Sequence, residues 1–294
     1  MLERIGQTFE ALEQEVAKGT IRSYGISSNS FSVPPEDPHF LPYHSLVDLA
    51  RNASLKVRGD PEMHGFAAIQ MPGNFLEQEG LKLTAKWAKK NGLKVFINRP
   101  LNAFNQDGAF RLASYPPPNP PYATVYNKVL TQPPLSSLPN NFLVQLIHDL
   151  HSALPTLTSV FDYESVHHQV QRLLRSQSTE MRPEWFEPLQ RYLDAYEQEV
   201  RHRGSQSIRR FLNARGVELP PEVEKGSGDS GDGDVGGQIE RFALEFLAED
   251  EKVDCVLLGM TRPRYVEVAR EVLKSLAADE EEVVEESVNE EKAV

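Results

Sequence analysis

The sequence predicts an α/β fold, a partial (β/α) barrel of the TIM type with a large helical insertion before its last strand. Four short apolar segments follow one another along the chain, each next to a stretch of helical periodicity, and they cover residues 21–26, 66–71, 93–98 and 253–259. Strands that alternate with helices of this size pair in parallel through right-handed crossovers. Four such units correspond to half of an eight-stranded barrel.

The first unit begins with a helix. Apolar residues recur at three- and four-residue intervals from Phe9 to Val16, and Gly19 follows as a left-handed cap. Glu13 and Glu15 fall on the predicted outward face of this helix. The chain then enters the first strand.

The other units repeat this pattern. The near-continuous apolar run of residues 67–71 predicts a strand that is buried on both faces. Asn91-Gly92 is expected to cap the helix before the third strand. The remaining helices of the barrel are predicted over residues 46–50, 81–88, 239–247 and 265–273.

Four sequence motifs lie on these strands and in the turns after them. They are Ala17-Lys18-Gly19-Thr20-Ile21-Arg22-Ser23-Tyr24-Gly25-Ile26-Ser27, then Ile69-Gln70 with Asn74-Phe75-Leu76-Glu77, then Asn91-Gly92-Leu93-Lys94-Val95-Phe96-Ile97 with Pro100-Leu101, and finally Val256-Leu257-Leu258-Gly259 with Pro263. In this order they resemble the C-terminal half of the aldo-keto reductase family, strands five to eight. Each motif is weak by itself, and their order carries the resemblance.

The resemblance implies a domain that binds NADP(H) and transfers hydride to or from a small carbonyl compound, an alcohol or a sugar. It implies that Ser27, with Ser28 or Asn29, hydrogen-bonds the nicotinamide carboxamide together with Gln70. These contacts would fix which face of the nicotinamide ring meets the substrate. The choice between NADP and NAD stays open.

The phosphate end of the cofactor is assigned by the same resemblance. Backbone N–H groups around Met260 and Thr261, at a helix start, would suit a phosphate, and Arg262 or Arg264 would meet the extra phosphate of NADP. Arg99 has two interpretations, a phosphate ligand or a solvated side chain at a strand end.

The half of the family's barrel that this sequence resembles does not contain the family's catalytic residues. In the family, the catalytic Asp, Tyr, Lys and His come from the second, third and fourth strands. Without an acid to protonate the carbonyl oxygen, we expect no catalytic residue in this chain and little or no turnover from it alone. Two function classes stay open: an oxidoreductase domain that needs a missing N-terminal half, and a non-catalytic binding or scaffold protein with a cofactor-shaped half barrel.

Composition and charge argue against several other classes of function. The 294 residues carry a net charge of −12, which disfavours nucleic-acid binding because phosphate contacts need clustered basic residues. The chain shows neither an apolar run long enough to span a bilayer nor a secretory leader, so we expect no membrane partner and a cytoplasmic location. The single cysteine, Cys255, lies in an apolar run and is predicted to be a buried packing residue.

The predicted domain of residues 1–276 is interrupted by a long segment. Residues 104–225 begin with a proline-rich stretch and continue with helical stripes, which predict a helical insertion. Residues 231–236 fit a dinucleotide fingerprint but follow no strand, so residues 226–237 are interpreted as a flexible linker. Residues 277–294 are predicted to be a disordered acidic tail.

Two further expectations concern metals and association. His148 and His151 lie one turn apart in the insertion with Asp149 and Asp162 nearby in sequence, but they lack a third ligand at a recognisable spacing, so we predict no metal site. A half barrel leaves the edge of its first strand unpaired, which predicts that the chain associates with itself through that edge, borrows strands from its own insertion or is poorly soluble.

Overall fold

The computed structural model describes residues 1–106, 108–135, 142–157, 159–177, 182–219 and 238–292, with only the backbone of residues 279–292. The chain forms two compact units. Unit 1 contains Met1–Asn105 and Ala243–Thr261, and unit 2 contains Gln106–Phe242 and Arg262–Val294. This division differs from the predicted domains, which assign residues 262–276 to the same domain as the strands.

Unit 1 alternates helices and strands as the sequence predicts. Its elements are α1 (Leu2–Ala17), β1 (Tyr24–Ser27), α2 (Leu46–Arg58), β2 (Phe66–Pro72), α3 (Ala85–Lys90), β3 (Lys94–Asn98) and β4 (Asn102–Asn105). A π-helical turn, Gly80–Thr84, leads into α3. Farther along the chain, β5 (Gly108–Arg111) and the helices of unit 2 precede α8 (Gln238–Ala248) and β6 (Cys255–Val256). The last strand is much shorter than the apolar run of residues 253–259.

The four predicted strands form one parallel sheet in the order β1-β2-β3-β6. This confirms the α/β class and the parallel pairing of the four segments in chain order. From Gly25 onward β1 pairs regularly with β2, after a register shift between Tyr24 and Gly25, so that Ile26 pairs with Ile69, and Ile69 with Val95. The carboxyl ends of all four strands therefore lie along one edge of the sheet, where ligands bind in parallel α/β sheets.

One face of the sheet forms the core of unit 1. Ile69, Met71, Val95 and Ile97 alternate along β2 and β3, and each is at most 1% exposed. They pack in one apolar cluster with small helix residues, among them Ala50, Ala85 and Ala88. The other face differs from the prediction for residues 67–71, because Ala68 and Gln70 are only half-buried there.

The predicted helix ends are confirmed at two glycines. Gly19 has φ +77° and Gly92 has φ +71°, a region that glycine adopts without the steric cost of a Cβ atom. Thr20 N–H donates to the Glu15 carbonyl at 3.0 Å, and Leu93 N–H donates to the Ala88 carbonyl at 3.0 Å. These bonds close the ends of α1 and α3 and turn the chain toward β1 and β3.

Unit 2 is mainly helical in the described part of residues 104–225, where the sequence predicts a helical insertion. Its helices in that region are α4 (Tyr122–Thr131), α5 (Phe142–Ala153), α6 (Val160–Ser176) and α7 (Pro183–Asn213). Tyr192 and Tyr196 of α7 are fully buried in a core of their own, separate from the core of unit 1. Ser159 and Asp162 form a capping box that fixes the start of α6.

The last helix, α9, runs from Pro263 to Lys292. The backbone of residues 277–292 is thus helical, whereas the acidic composition predicts a disordered tail there. Residues 226–237, predicted to be a linker, lie outside the described residues. Among the described helices, none is long and apolar enough to cross a membrane.

Candidate functional site

The carboxyl end of β1 brings together the residues assigned to the nicotinamide end. Ser27 is the Cα partner of Gln70 on the neighbouring strand β2, so their side chains lie on the same face of the sheet. Ser28 follows directly, and its N–H donates to the Gln70 carbonyl at 3.0 Å. Asn29 begins a short 3-10 helix and is exposed.

At the carboxyl end of β1, one of these side chains already has a hydrogen bond within the protein and two do not. Ser28 is the N-cap of the 3-10 helix, since its Oγ accepts the Ser30 N–H at 3.1 Å. The side chains of Ser27 and Gln70 make no hydrogen bond with any described residue, and Ser27 is exposed while Gln70 is half-buried. A polar ligand at this edge could therefore use both side chains without breaking a bond in the protein.

The same face of the sheet contains a residue that the sequence did not single out as a ligand. Gln70 pairs with Phe96, and Pro72 with Asn98, so Phe96 and Asn98 lie on the face of Gln70. The Asn98 Oδ1 atom is buried and has no hydrogen-bond partner among the described residues. A buried acceptor without a partner costs about 1–3 kcal/mol, which a ligand donor would recover. The signal for Asn98 in the sequence was the position of a polar residue at the end of an apolar strand.

Cys255 also lies on this face, as the partner of Phe96 on β6. It is half-buried rather than buried, in contrast to the prediction of a buried packing residue. The reason is that the second face of the sheet is less covered than the first, which the apolar run around Cys255 could not indicate.

Arg99 follows β3 and is held by the loop after β2. Its Nη2 lies 2.9 Å from Glu77 Oε1, and its guanidinium lies 4.7 Å from the centre of the Phe104 ring. The backbone has φ +55°, which is uncommon for a residue other than glycine. The Arg99 carbonyl accepts N–H groups of Asn74 and Asn102, at 3.4 and 3.1 Å, and these bonds hold the backbone in place.

This ion pair bears on the two interpretations of Arg99. The side chain of Arg99 is 26% exposed and that of Glu77 is 10% exposed, so the pair is neither free nor fully solvated. Asn74, which is fully buried, also donates to Glu77 Oε2 at 2.9 Å. Arg99 therefore connects two loops at the carboxyl edge, and a phosphate there would compete with Glu77. Its assignment to a phosphate stays a prediction.

The residues assigned to the phosphate end are divided between the two units. Met260 and Thr261 belong to unit 1 and are exposed, and the Thr261 N–H donates to the Gly259 carbonyl at 2.9 Å. Arg262 and Arg264 belong to unit 2, where Arg262 directly precedes α9. The structure thus brings Ser27, Ser28 and Gln70 together, and it describes Arg262 and Arg264 in a separate unit.

Arg264 is already engaged within unit 2. Its Nη2 lies 3.2 Å from Oε1 of the fully buried Glu240, and its Nη1 donates to the Ser114 carbonyl at 3.0 Å. The Glu240 carboxylate also accepts the Ser114 N–H at 2.9 Å. Because breaking a buried pair leaves a charge without its partner, Arg264 is poorly suited to exchange Glu240 for a ligand.

A second network that the sequence missed lies at the opposite edge of the sheet. Glu13, predicted to face outward, is fully buried, and this prediction is wrong. Its Oε1 accepts the Tyr24 O–H at 2.8 Å and the Gly65 N–H at 2.6 Å, while Oε2 lies 3.5 Å from Arg58. These partners come from β1, the residue before β2, and the end of α2, so helical periodicity alone could not reveal them.

Asp254, which lies just before β6, also connects separate elements of the sheet through its carboxylate. Its carboxylate accepts the Val95 N–H at 2.8 Å and lies within 3.1 Å of the amines of Lys89 and Lys94. Desolvation opposes its ionisation, but the hydrogen bonds from Lys94, Val95 and Lys89 lower the pKa of Asp254 to about 2. Asp254 therefore helps to hold the short strand β6 beside β3.

The histidines of the insertion bind tyrosines. His148 Nδ1 lies 3.0 Å from the Tyr126 hydroxyl, and His151 Nδ1 lies 3.0 Å from the Tyr122 hydroxyl. Asp162 belongs to the capping box of α6. Across the described residues, no group of three or more His, Cys, Asp or Glu side chains could hold a metal ion.

No protein-family model, curated protein or solved structure shows a significant match to this chain.

Proposed function

We propose that unit 1 binds the nicotinamide end of NADP(H) at the carboxyl edge of its sheet and belongs to an NADP-dependent oxidoreductase of aldo-keto reductase type. Ser27 and Gln70 carry the proposal, because they are paired in register, share a face and make no side-chain hydrogen bond with a described residue. The sequence resemblance supports the same two residues. In this proposal the four strands are half of a (β/α) barrel.

The chemistry of the edge suits a carboxamide. A carboxamide offers two N–H donors and one carbonyl acceptor, and the Ser27 hydroxyl and the Gln70 amide provide both kinds of partner. The buried Asn98 Oδ1 would accept the remaining N–H group. The half-buried Phe96 offers apolar surface beside them. These groups would bind and orient a nicotinamide ring, and none of them would protonate a carbonyl oxygen.

In this proposal the chain holds the cofactor, and a group outside this chain supplies the acid that completes carbonyl reduction. Its substrate would be a small carbonyl compound or a sugar. The expected behaviour of this chain is binding of NADPH without reduction of aldehydes.

A fluorescence titration with NADPH tests the proposal. We expect saturable binding to the wild type and about tenfold weaker binding to Gln70→Ala, the effect of about one lost hydrogen bond. Gln145→Ala is the matched control, because Gln145 lies on α5 and among the described residues its side chain binds only Asp149 of the same helix, at 2.7 Å.

Competition with adenosine 2′,5′-bisphosphate separates the two ends of the cofactor. This molecule lacks nicotinamide, so Gln70→Ala should leave its binding unchanged while it weakens that of NADPH. Absence of saturable NADPH binding to the wild type would remove the cofactor assignment.

A non-catalytic binding or scaffold protein is the second candidate. The observation that favours it is the separate core of unit 2, built around Tyr192 and Tyr196 and independent of the sheet. Such a helical unit offers a surface for a partner without any cofactor. Failure of NADPH binding in a cooperatively folded chain would support this candidate.

Self-association through β1 remains part of the proposal. β1 is an edge strand of the sheet in unit 1. An unpaired edge strand presents backbone N–H and C=O groups to another chain. Size-exclusion chromatography with light scattering is expected to show a dimer, and a stable monomer would contradict this expectation.

A further inference from the structure

We propose that unit 1 binds an acidic helical segment of a partner protein through one side of the helix that precedes β3. This surface, the lysine face, consists of Lys82, Lys86 and Lys90, with Leu83 and Trp87 beside them. It is formed by the π-helical turn and α3. None of its residues belongs to the proposed nicotinamide site, so the two proposals are independent.

The lysine face concentrates positive charge in a chain that is acidic as a whole. Its three lysines are exposed, and none of their amines makes an ion pair or a hydrogen bond with a described residue. No acidic residue occurs between positions 80 and 98, whereas the whole chain has a net charge of −12. Three cationic groups on one surface are thus available to carboxylates from outside the chain.

Two neighbouring lysines already pair with a carboxylate of the chain itself. The amines of Lys89 and Lys94 lie 3.1 and 2.8 Å from the carboxylate oxygens of Asp254. This internal carboxylate satisfies the lysines at the end of α3 and the start of β3, and it leaves the lysine face unpaired. The contrast separates lysines that hold the sheet together from lysines that can meet a partner.

The spacing of the lysine face favours a helical partner. Its lysines follow one another at four-residue intervals, so they lie on one side of the helix, about 6 Å apart along its axis. A partner helix with a carboxylate at every fourth residue presents its charges at the same interval. An extended anionic surface, such as a membrane or a nucleic acid, would also approach acidic parts of this chain, so the net charge favours a short acidic segment.

Apolar surface lies directly beside these charges. Leu83 is 46% exposed, whereas Leu81, two residues earlier, is buried in the core. Trp87 is half-buried, and its ring lies 5.1 Å from that of Tyr43 and 6.2 Å from that of His44, which hold it in position. Leu83 and Trp87 are four residues apart and therefore neighbours on the helix surface. They predict an apolar residue beside the acidic residues of the partner.

The π-helical turn that carries Leu83 is fixed against the rest of unit 1. Thr84 is buried, and its Oγ1 donates to the Phe31 carbonyl at 2.7 Å. A Cβ atom at Gly80 would lie only 3.0 Å from Met71 Sδ, so the turn packs closely on β2. Turns of the π type occur frequently at functional sites. A surface that is already fixed loses little conformational freedom when a partner binds it.

Fluorescence anisotropy tests the assignment with a labelled helical peptide that has glutamate at every fourth position and leucines beside the glutamates. We expect saturable binding to the full chain that weakens as salt is added, because exposed ion pairs are screened. The same peptide with glutamine in place of glutamate should not bind. A peptide of the same composition with irregularly spaced glutamates should bind about threefold weaker or less, because it cannot pair with all three lysines at once.

A charge-matched pair of double variants locates the binding surface. Lys86→Gln/Lys90→Gln should weaken peptide binding about five- to tenfold, because two exposed ion pairs are lost. Lys56→Gln/Lys128→Gln is the control, since it removes the same charge from α2 and α4 and should bind the peptide like the wild type. All four lysines are exposed, and glutamine has a helix propensity similar to that of lysine, so both variants should fold.

Leu83→Ser tests the apolar part of the surface. It should weaken peptide binding about fivefold without changing the salt dependence, and unchanged binding would overturn the apolar part of the assignment. Gln70→Ala should leave peptide binding unchanged, so that failure of one proposal does not decide the other. The assignment is overturned if the wild type shows no saturable binding, if Lys86→Gln/Lys90→Gln loses no more affinity than its control, or if anionic lipid vesicles or single-stranded RNA bind more tightly than the peptide.

Discussion

The buried carboxylate of Glu13 allows a quantitative test of how unit 1 is held together. Its Oε1 accepts hydrogen bonds from Tyr24 and Gly65, and Oε2 lies 3.5 Å from Arg58. Glu13→Ala would leave these donors without an acceptor in a site that is fully buried. Each hydrogen bond to a charged group contributes about 1.5–3 kcal/mol, so we expect the variant to lose about 3–5 kcal/mol of stability.

A series of variants separates the contributions. Glu13→Gln keeps an acceptor oxygen but removes the charge that pairs with Arg58, so its cost should be smaller, about 2 kcal/mol. Tyr24→Phe removes one of the two hydrogen bonds and should also cost about 2 kcal/mol. Glu15→Ala is the control, because Glu15 on the same helix pairs with Lys18 at 2.8 Å with 39% of its side chain exposed, and such pairs contribute little.

Urea unfolding followed by tryptophan fluorescence measures these costs. The chain has two tryptophans, Trp87 in unit 1 and Trp185 in unit 2. In a Trp185→Phe background the signal reports unit 1 alone, and every variant is compared in that background. If Glu13→Ala costs no more than Glu15→Ala, the buried network does not hold the sheet together and the reasoning is refuted.

Three further predictions concern one residue each. Because the pKa of Asp254 is lowered from 3.8 to about 2 in the folded chain, its stabilisation is complete above about pH 4 and is lost as the pH falls toward 2. Asp254→Asn should therefore cost about 1–2 kcal/mol at pH 7 and flatten this acid dependence in urea unfolding, and an unchanged acid limb would contradict it. Gly25→Ala should destabilise unit 1 by about 1–3 kcal/mol, because its Cβ would lie 2.6 Å from the Ala68 carbonyl oxygen. The helical control Gly6→Ala should not destabilise unit 1, because the nearest atom to its Cβ would be 3.5 Å away. Burial by itself would raise the pKa of Tyr265, but Arg111 and Arg264 outweigh it and the pKa is lowered, so one tyrosine should ionise before the others in an absorbance titration of the folded chain, and Tyr265→Phe should remove this early step; identical curves would refute it.

Local sequence signals were sufficient for much of the fold. The periodicity from Phe9 to Val16 and the glycine at position 19 predicted α1 and its end, and both are confirmed. The apolar runs predicted four strands, and the register between Ile26, Ile69 and Val95 confirms their parallel pairing. The helix, its end and the strand segments depend on neighbours within a few residues, which the sequence contains directly, and the parallel pairing follows from the alternation of strands and helices.

The exceptions involve residues that meet over long distances in the chain. Glu13 looked like an outward charge because α1 has polar residues on that side, but Gly65, 52 residues away, provides an N–H group for it. Cys255 looked buried, but its face of the sheet is only partly covered. A one-dimensional pattern gives the face of an element but not what packs against that face.

In the candidate site, too, some features follow from the local sequence and others from contacts between distant segments. By its apolar segments, the sequence by itself determined that Ser27 ends one strand and that Gln70 lies near the end of another. Only the tertiary structure decided that these two side chains share a face and make no hydrogen bond with a described residue, and that Arg264 is instead paired with the buried Glu240. The physical reason is that strand formation is encoded locally, whereas the hydrogen-bond and ion-pair partners of a side chain depend on which distant segments pack beside it.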